Sequence, residues 1–502
     1  MSSEPKDEIP SAVRDFVFDL HDACRRFQRP EEMKALYSGV FVELSAKHYT
    51  HKPWPSAEEM SSECESDELF LNFYSELTTR HLFNNLRPTL NDKINAWKTY
   101  SSLFDQMLTL KDDTKADAFH VLPEWAFELI HEYVYQFQGF CQFRTHLAQR
   151  TAEEKELLEA NKDVWDVGTV MKHLHGLIGA SGLKTDPTGA SAHGQSLYMM
   201  GYFAALSLSR LECLLGDFHG SLDALSCMNI NEKGELYWNI FAARVSLSYH
   251  AGVSYFALRR YRDAAKTFSD MCSAINKGVN SGYLKRLTGY EQFMKLNDKM
   301  LAFLAIISLI QPAIKIEDSL SKVTNQMFGD KLAKVEGGDE GFDEIFSFAC
   351  PKFVSPVVPD YKSSEEPRNL SAIAYSKQVR QCVDDIKSTS NLVRLRSYLK
   401  LYTSIDVAKL ATFCEIEESA MANRVLALKK TICAQLEHQR KQGPPLAGTV
   451  VDHGDVGFHM AGSTVNVDPV VRGSKKTHRF FLNNVGSAKE LAADVLQIPD
   501  FV

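Results

Sequence analysis

The sequence is poor in the features that mark catalytic or exported proteins. Its ten cysteines are scattered, with no Cys-x-x-Cys pair and no regular spacing. Zinc ribbons and disulfide frameworks both need recurring spacings, so buried thiols in a reducing compartment are the better reading. No Walker loop, dinucleotide fingerprint, nucleophile elbow or zincin pattern occurs. Their absence removes the commonest phosphate-binding, redox and hydrolase chemistries. Long apolar runs are missing too. The longest, residues 300–310, is eleven residues with one Ser and ends at Gln311 and Pro312. About 20 apolar residues are needed to cross a bilayer, so this run reads as a buried helix. The opening MSSEPKDEIP has no apolar core, and no secretory signal is expected. Positive charge is not in excess: the net charge is −8, which disfavours attraction of the whole chain to nucleic acid or anionic membrane. The expectation is a soluble, cytoplasmic, non-enzymatic protein without metal or cofactor.

What the sequence does have is amphipathic helix. With 502 residues, 44% hydrophobic and 24% charged, the chain suffices for two to four folding units with sizeable cores. After a polar start, Val13, Phe16, Val17, Leu20 and Cys24 recur at helical spacing, and Met33 to Leu44 continue the pattern beyond Pro30. Lys52-Pro53-Trp54-Pro55 is a rigid aromatic loop. Helices are expected over 69–82, 94–110 and 125–147. The last carries Tyr133, Tyr135, Phe137, Phe140 and Phe143, too many aromatics for one stripe, so it should be packed on both faces. Residues 179–196 are rich in Gly, Ser, Thr and Pro and mark a loop or boundary. Beyond them, Gly252, Tyr255, Ala264 and Phe268 fall at tetratricopeptide spacing, in which small residues let paired helices approach and aromatic ones fill the groove. Leu215-Gly216-Asp217-Phe218 and Arg259-Arg260-Tyr261 mark equivalent turns 43 residues apart. Residues 328–344 read as a looped interruption. Residues 350–361, with three prolines in twelve, read as an extended strap.

The segment 392–468 has a different character. Leu392, Leu395, Leu399 and Tyr402 form a helical stripe, Val407, Leu410, Ala411 and Cys414 a short second helix, and Met421, Val425, Leu428, Ile432 and Leu436 a third. Strict alternation follows at Val456, Phe458 and Met460, then an Ala461-Gly462 turn, then Val465 and Val467. A period of 3.6 switching to 2 within one short segment outlines a winged helix. A nucleic-acid reader would carry Arg, Lys, Asn or Gln on the outward face of its second helix. That face here holds Asn423, Leu426, Lys430 and Glu437, a mixture better suited to a protein partner. From residue 392 onward there are 14 Lys and Arg against 11 Asp and Glu, so phosphate contact, if made, belongs at this end. Its candidates are Lys430, Arg472, Lys475, Lys476 and Arg479. A short helix is expected around 488–496. The reading is therefore a mostly α chain: a loose start (1–12), an N-terminal helical domain (13–195), a helical-repeat part with the strap (196–390), a winged helix (391–470) and a basic tail (471–502).

Two constellations with catalytic overtones carry little. His173-Leu174-His175, with Ser181 and Asp186 downstream, loosely resembles the metal pattern of deubiquitinating metalloproteases. However, Gly176 replaces that family's proline and the Ser and Asp offsets differ. The pair also lies on a helical stripe with Val170, Leu174 and Leu177, where residues two apart point to different sides. Glu153-Glu154 and Glu417-Glu418 read as solvated helix starts.

Helical repeats closed by a winged helix resemble the PCI module of the proteasome lid, the COP9 signalosome and eukaryotic translation initiation factor 3. The resemblance is most specific to the initiation-factor branch. It is carried by Thr50-His51-Lys52-Pro53-Trp54-Pro55, Leu71-Asn72-Phe73-Tyr74-Ser75-Glu76-Leu77 with Arg80-His81, Tyr135-Gln136-Phe137-Gln138, Phe143-Arg144, Ser196-Leu197-Tyr198 and Arg259-Arg260-Tyr261-Arg262-Asp263-Ala264. The stretches Cys350-Pro351-Lys352-Phe353-Val354-Ser355-Pro356 and Leu395-Arg396-Ser397-Tyr398-Leu399-Lys400-Leu401-Tyr402 are the most telling. It spans about residues 30–440 and weakens beyond Gln439. It implies a non-catalytic scaffold of the initiation-factor complex that binds sister subunits, subunit K especially, and the small ribosomal subunit. Leu426, Val456, Phe458, Met460, Val465 and Val467 are then the expected protein-contact residues, with the hairpin offering a strand edge. A lid or signalosome scaffold and a direct RNA binder are the alternatives.

Overall fold

The structure, a computed structural model, describes the chain except for residues 1–8, 27–29, 110–118, 186–194, 229–235, 288, 312–313, 338–339, 363–369, 434–435, 438–443, 451–455, 469–479, 483, 490 and 493–502. Helices dominate, and the strands are few and confined to the C-terminal part. The chain forms two compact units, residues 1–385 with 437–449, and residues 386–436 with 450–502.

In the first unit the expected stripes turn inward. Helix Ser11–Arg26 buries Val13, Phe16, Val17, Leu20 and Cys24. The proline-bracketed Trp54 stacks on Phe41 with ring centroids 4.8 Å apart and lies 4.7 Å from the Tyr49 ring. Helix Pro123–Thr145 starts with Pro at its first turn, where a missing N–H costs nothing. Trp125, Tyr133, Phe137 and Phe140 along it are buried, while Tyr135 is 58% exposed. Helices Phe241–Ala257 and Tyr261–Asn280 form the tetratricopeptide-like pair. A Cβ on Gly252 would lie 2.3 Å from Cε1 of Phe268, so the small residue is what allows the two helices to close. Arg259 makes the turn between them in the left-handed region, at φ 59°. The eleven-residue apolar run lies inside helix Tyr290–Ile310, with Met300 to Ile307 buried.

One reading needs correction. Residues 328–344 are largely helical: helix Asp318–Gly337 runs through Phe328, and helix Glu340–Ala349 follows. Leu320, Thr324 and Phe328, four apart, face inward; that stripe outweighs the loop signal of Gly337, Gly338 and Gly341 in the sequence. Residues 351–360 contain neither helix nor strand. They are held by backbone groups: Arg144 Nη2 donates to the Pro356 carbonyl at 2.6 Å, and the Val354 N–H to the Leu214 carbonyl at 2.9 Å. The segment 444–448 is gripped similarly. Arg260 donates to the carbonyls of Pro445, Leu446 and Ala447 at 3.0–3.1 Å, while Asp263 takes its Nε–H at 2.8 Å.

Two expected outcomes follow from this packing. Gly252→Ala should lower stability by about 1–3 kcal/mol, the usual range for forcing an atom into a packed core, read as a lower thermal midpoint; an unchanged midpoint would mean the helices part without cost. Second, burial, with the Arg210 guanidinium adding, pushes the His250 imidazole down to about 3. Burial and Arg210 also lower His131. Both rings stay neutral in the folded chain, whereas an unfolded histidine takes up a proton below about pH 6.5. Stability is therefore unaffected above that pH and falls as pH drops through it. Thermal midpoints measured downward from neutral pH should decline, and the decline should be shallower in His250→Gln.

Candidate protein-interaction interface

The second unit begins within the 30-residue helix Leu370–Leu399. Strand β1 (Ser404–Asp406), helix Val407–Cys414 and helix Glu418–Cys433 follow. Leu436–Glu437 (β2) and Thr449–Val450 (β3) form a two-stranded sheet, so the stripe assigned to Leu436 ends earlier than expected. The wing is β4 (Gly457–Ala461) and β5 (Thr464–Asp468), joined through Gly462 at φ 61°. The three-stranded sheet has the order β1-β5-β4, with Met460 opposite Val465 and Phe458 opposite Val467. The core is one cluster: Leu395 and Leu399 from the long helix, Val407 and Leu410, Met421, Val425 and Leu428, and Ile405, Val456, Phe458 and Val465 from the strand region.

This geometry redistributes the contact residues expected from the sequence. Val456, Phe458 and Val465 are buried in the module's own core, and Met460 and Val467 are partly buried against it. Alternation produces an inner and an outer face, and the apolar set is the inner one. None of the three buried side chains is free to meet a partner. Nor do Val465 and Val467 lie on a sheet edge, because β5 is the central strand. Leu426 does point outward, 57% exposed, and Leu401, just past the long helix, is 76% exposed. Asn423 and Lys430 are exposed beside Leu426.

Within the hairpin, the strand on the sheet's edge is β4. The Val467 N–H donates to the Thr403 carbonyl at 2.8 Å, on the β1 side. Its opposite residue, Phe458, therefore directs its N–H and C=O away from β5, and so does Met460 two positions on. Lys429 donates its ammonium to the Phe458 carbonyl and lies 5.1 Å from the Phe458 ring centroid. A lysine on a strand edge restricts indiscriminate pairing, and here it leaves the Met460 end of the edge open.

Arg472, Lys475, Lys476 and Arg479 lie outside the described residues. Helix is present from residue 480, ahead of the expected 488–496. It exposes Phe480, Phe481, Leu482, Val485 and Leu491, each more than half accessible. The run Phe480-Phe481-Leu482 was the sequence signal for this surface, and the preceding basic residues drew attention from it. At the other candidate, His173 is buried, with Nδ1 2.8 Å from the Tyr133 hydroxyl and Nε2 3.5 Å from Asp105. His175 is exposed, so the pair does not converge. Among the described residues no group of three or more His, Cys, Asp or Glu is placed to hold a metal, and no helix is long and apolar enough to cross a membrane.

A helical-repeat unit followed by a three-stranded winged helix is the architecture of the PCI class of complex subunits. The family described as RNA polymerase I-associated factor PAF67 matches residues 92–488. Eukaryotic translation initiation factor 3 subunit L of Anopheles gambiae is 33% identical over 491 residues, covering 92% of this chain and 88% of its own. The same subunit of Nematostella vectensis is 31% identical (84% and 81% covered), and that of Xenopus tropicalis 32% (84% and 80%). The chain belongs to the family of subunit L of eukaryotic translation initiation factor 3.

The division between core and surface gives a direct expectation. Val465→Asp, which buries an unpaired carboxylate, should unfold the winged helix, whereas Leu426→Asp should leave the unfolding free energy within about 0.5 kcal/mol of wild type. Equal effects on far-UV circular dichroism would contradict the burial described.

Proposed function

We propose that this chain is a non-catalytic scaffold subunit of eukaryotic translation initiation factor 3, acting in the cytoplasm. It joins sister subunits, subunit K among them, through its winged helix, and supports recruitment of the small ribosomal subunit and mRNA. The observation that carries the reading is an apolar surface the module does not use for itself: Leu401, in the turn after the long helix, and Leu426, on helix Glu418–Cys433, stand out, and β4 offers open backbone groups at Met460. Exposed leucines with a strand edge suit a protein partner that adds a strand or lays a helix against them. They do not suit phosphate, which needs converging cations. The exposed helix from residue 480 supplies a second apolar element of the same kind. The family membership supports initiation factor 3 as the assembly to which the partners belong.

Affinity purification of a tagged chain should recover initiation-factor subunits. The double variant Leu401→Asp and Leu426→Asp should lose subunit K and its neighbours by about tenfold or more while folding normally, since a truncated interface anchor typically costs upward of about 2 kcal/mol. Full retention would place the interface elsewhere. Recovery of lid or signalosome subunits would overturn the assignment to initiation.

A further inference from the structure

The first unit contains a cleft of about 540 Å³. It lies among the end of helix Glu68–Asn85, the start of helix Leu90–Thr109 and the second half of Pro123–Thr145. Aromatic rings make its walls: Phe83, Phe143 and, on the exposed rim, Tyr135. Two cations reach the same ring. Lys93 Nζ lies 5.2 Å from the Phe143 centroid and Arg150 Cζ 3.8 Å from it. Arg150 is within 3.6 Å of one carboxylate, Glu154, and its side chain is only 16% exposed. Its Nε has no hydrogen-bond partner and neither does Oε1 of Gln136, and both atoms are buried. Gln136 and Arg150 both line the cleft. A buried guanidinium N–H and a buried amide oxygen left unmated each cost on the order of 1–3 kcal/mol.

We propose that this cleft binds an acidic–aromatic segment of a partner protein. The partner's carboxylate would lie between Lys93 and Arg150 and its ring would stack against Phe143 and Tyr135. Polarity and charge both favour this ligand. One carboxylate accepts bidentately from a guanidinium and can be shared with an ammonium. The aromatic walls are suited to a ring, and a volume of this size is ordinary for a specific pocket. Burial holds the Lys93 ammonium down, with Arg150 adding to that against Asp92, so an anion seated between the two cations relieves their repulsion. A polyphosphate strand is disfavoured because only two cations line the cleft, Glu132 lines it and Glu154 sits at Arg150. The site does not draw on the winged-helix reading and survives or fails independently of it.

The test uses the full chain and three fluorescein-labelled probes in anisotropy titrations. These are the capped peptide Gly-Glu-Phe-Glu-Gly, the same peptide with Gln for Glu, and a twelve-nucleotide uridine RNA. The acidic peptide should saturate, bind at least about tenfold more tightly than the Gln peptide, and weaken as salt is raised. Lys93→Met and Arg150→Met should each cost about tenfold, the loss of one charge-assisted contact. Tyr135→Glu on the exposed rim repeats the test without touching the core, and should weaken the acidic peptide while sparing the thermal midpoint. The proposal is overturned if the acidic peptide does not saturate, if both peptides bind equally, or if the RNA binds in a Lys93- and Arg150-dependent way and the peptide does not.

Discussion

The N-terminal helices of the first unit are arranged around a carboxylate that cannot be reached by water. Glu76 is fully buried. Its oxygens receive Arg80 Nε at 3.0 Å, the Trp125 indole N–H at 3.1 Å and the Tyr100 hydroxyl at 3.5 Å. Arg80 in turn reaches Glu128 and the Tyr37 hydroxyl, and its guanidinium lies 5.5 Å from the Tyr37 ring centroid. Burial pushes the Glu76 carboxyl up and the Arg80 charge opposes it. Removing one member of such a pair generally costs about 3–5 kcal/mol, because the other charge is left buried and alone. The pair adds little net stability compared with apolar residues of the same shape. What it imposes is register: four separate helical stretches must arrive in one relative position to complete it.

That constraint explains why the polar residues inside the helices mattered in reading the sequence. The stretch from Leu71 to His81, which carried part of the family resemblance, contains both Glu76 and Arg80. Periodicity alone could place them on a helix but could not show that they face each other and Trp125. The same holds for Arg260, whose role at the carbonyls of Pro445 to Ala447 joins residues about 185 positions apart. By contrast, features set by local sterics were legible. The Gly252–Phe268 approach, the buried run at 300–310 and the winged-helix outline all follow from residue size and spacing.

The misreadings have one cause, which is that apolar character does not say which way a side chain points. In the wing, Val456, Phe458 and Val465 were legible as a strand pattern, yet alternation by itself does not tell an inner face from a binding face. A three-stranded module of this size must bury those side chains to exist at all, while Leu426 and Leu401 stay exposed. In residues 328–344 the glycines at 337, 338 and 341 suggested a loop, and the stripe of Leu320, Thr324 and Phe328 carried helix Asp318–Gly337 through its first part. Composition signals turns only where no packed face overrides it.

The two surfaces that emerge are chemically opposite, and this bears on specificity. The winged helix presents apolar side chains and a strand edge, with Lys429 placed on the Phe458 carbonyl so that only part of the edge is open. The cleft beside Phe143 presents charge and unmated polar atoms enclosed by aromatic rings. An apolar patch tolerates many partners, since dispersion and burial are not directional. A half-buried cation pair is selective, because a ligand without a matching anion must desolvate those charges for no return. A subunit that must be incorporated into one assembly among several built on the same architecture gains from having both. In the roles proposed, burial would supply affinity, and the electrostatic site would reject the partners that burial alone would accept.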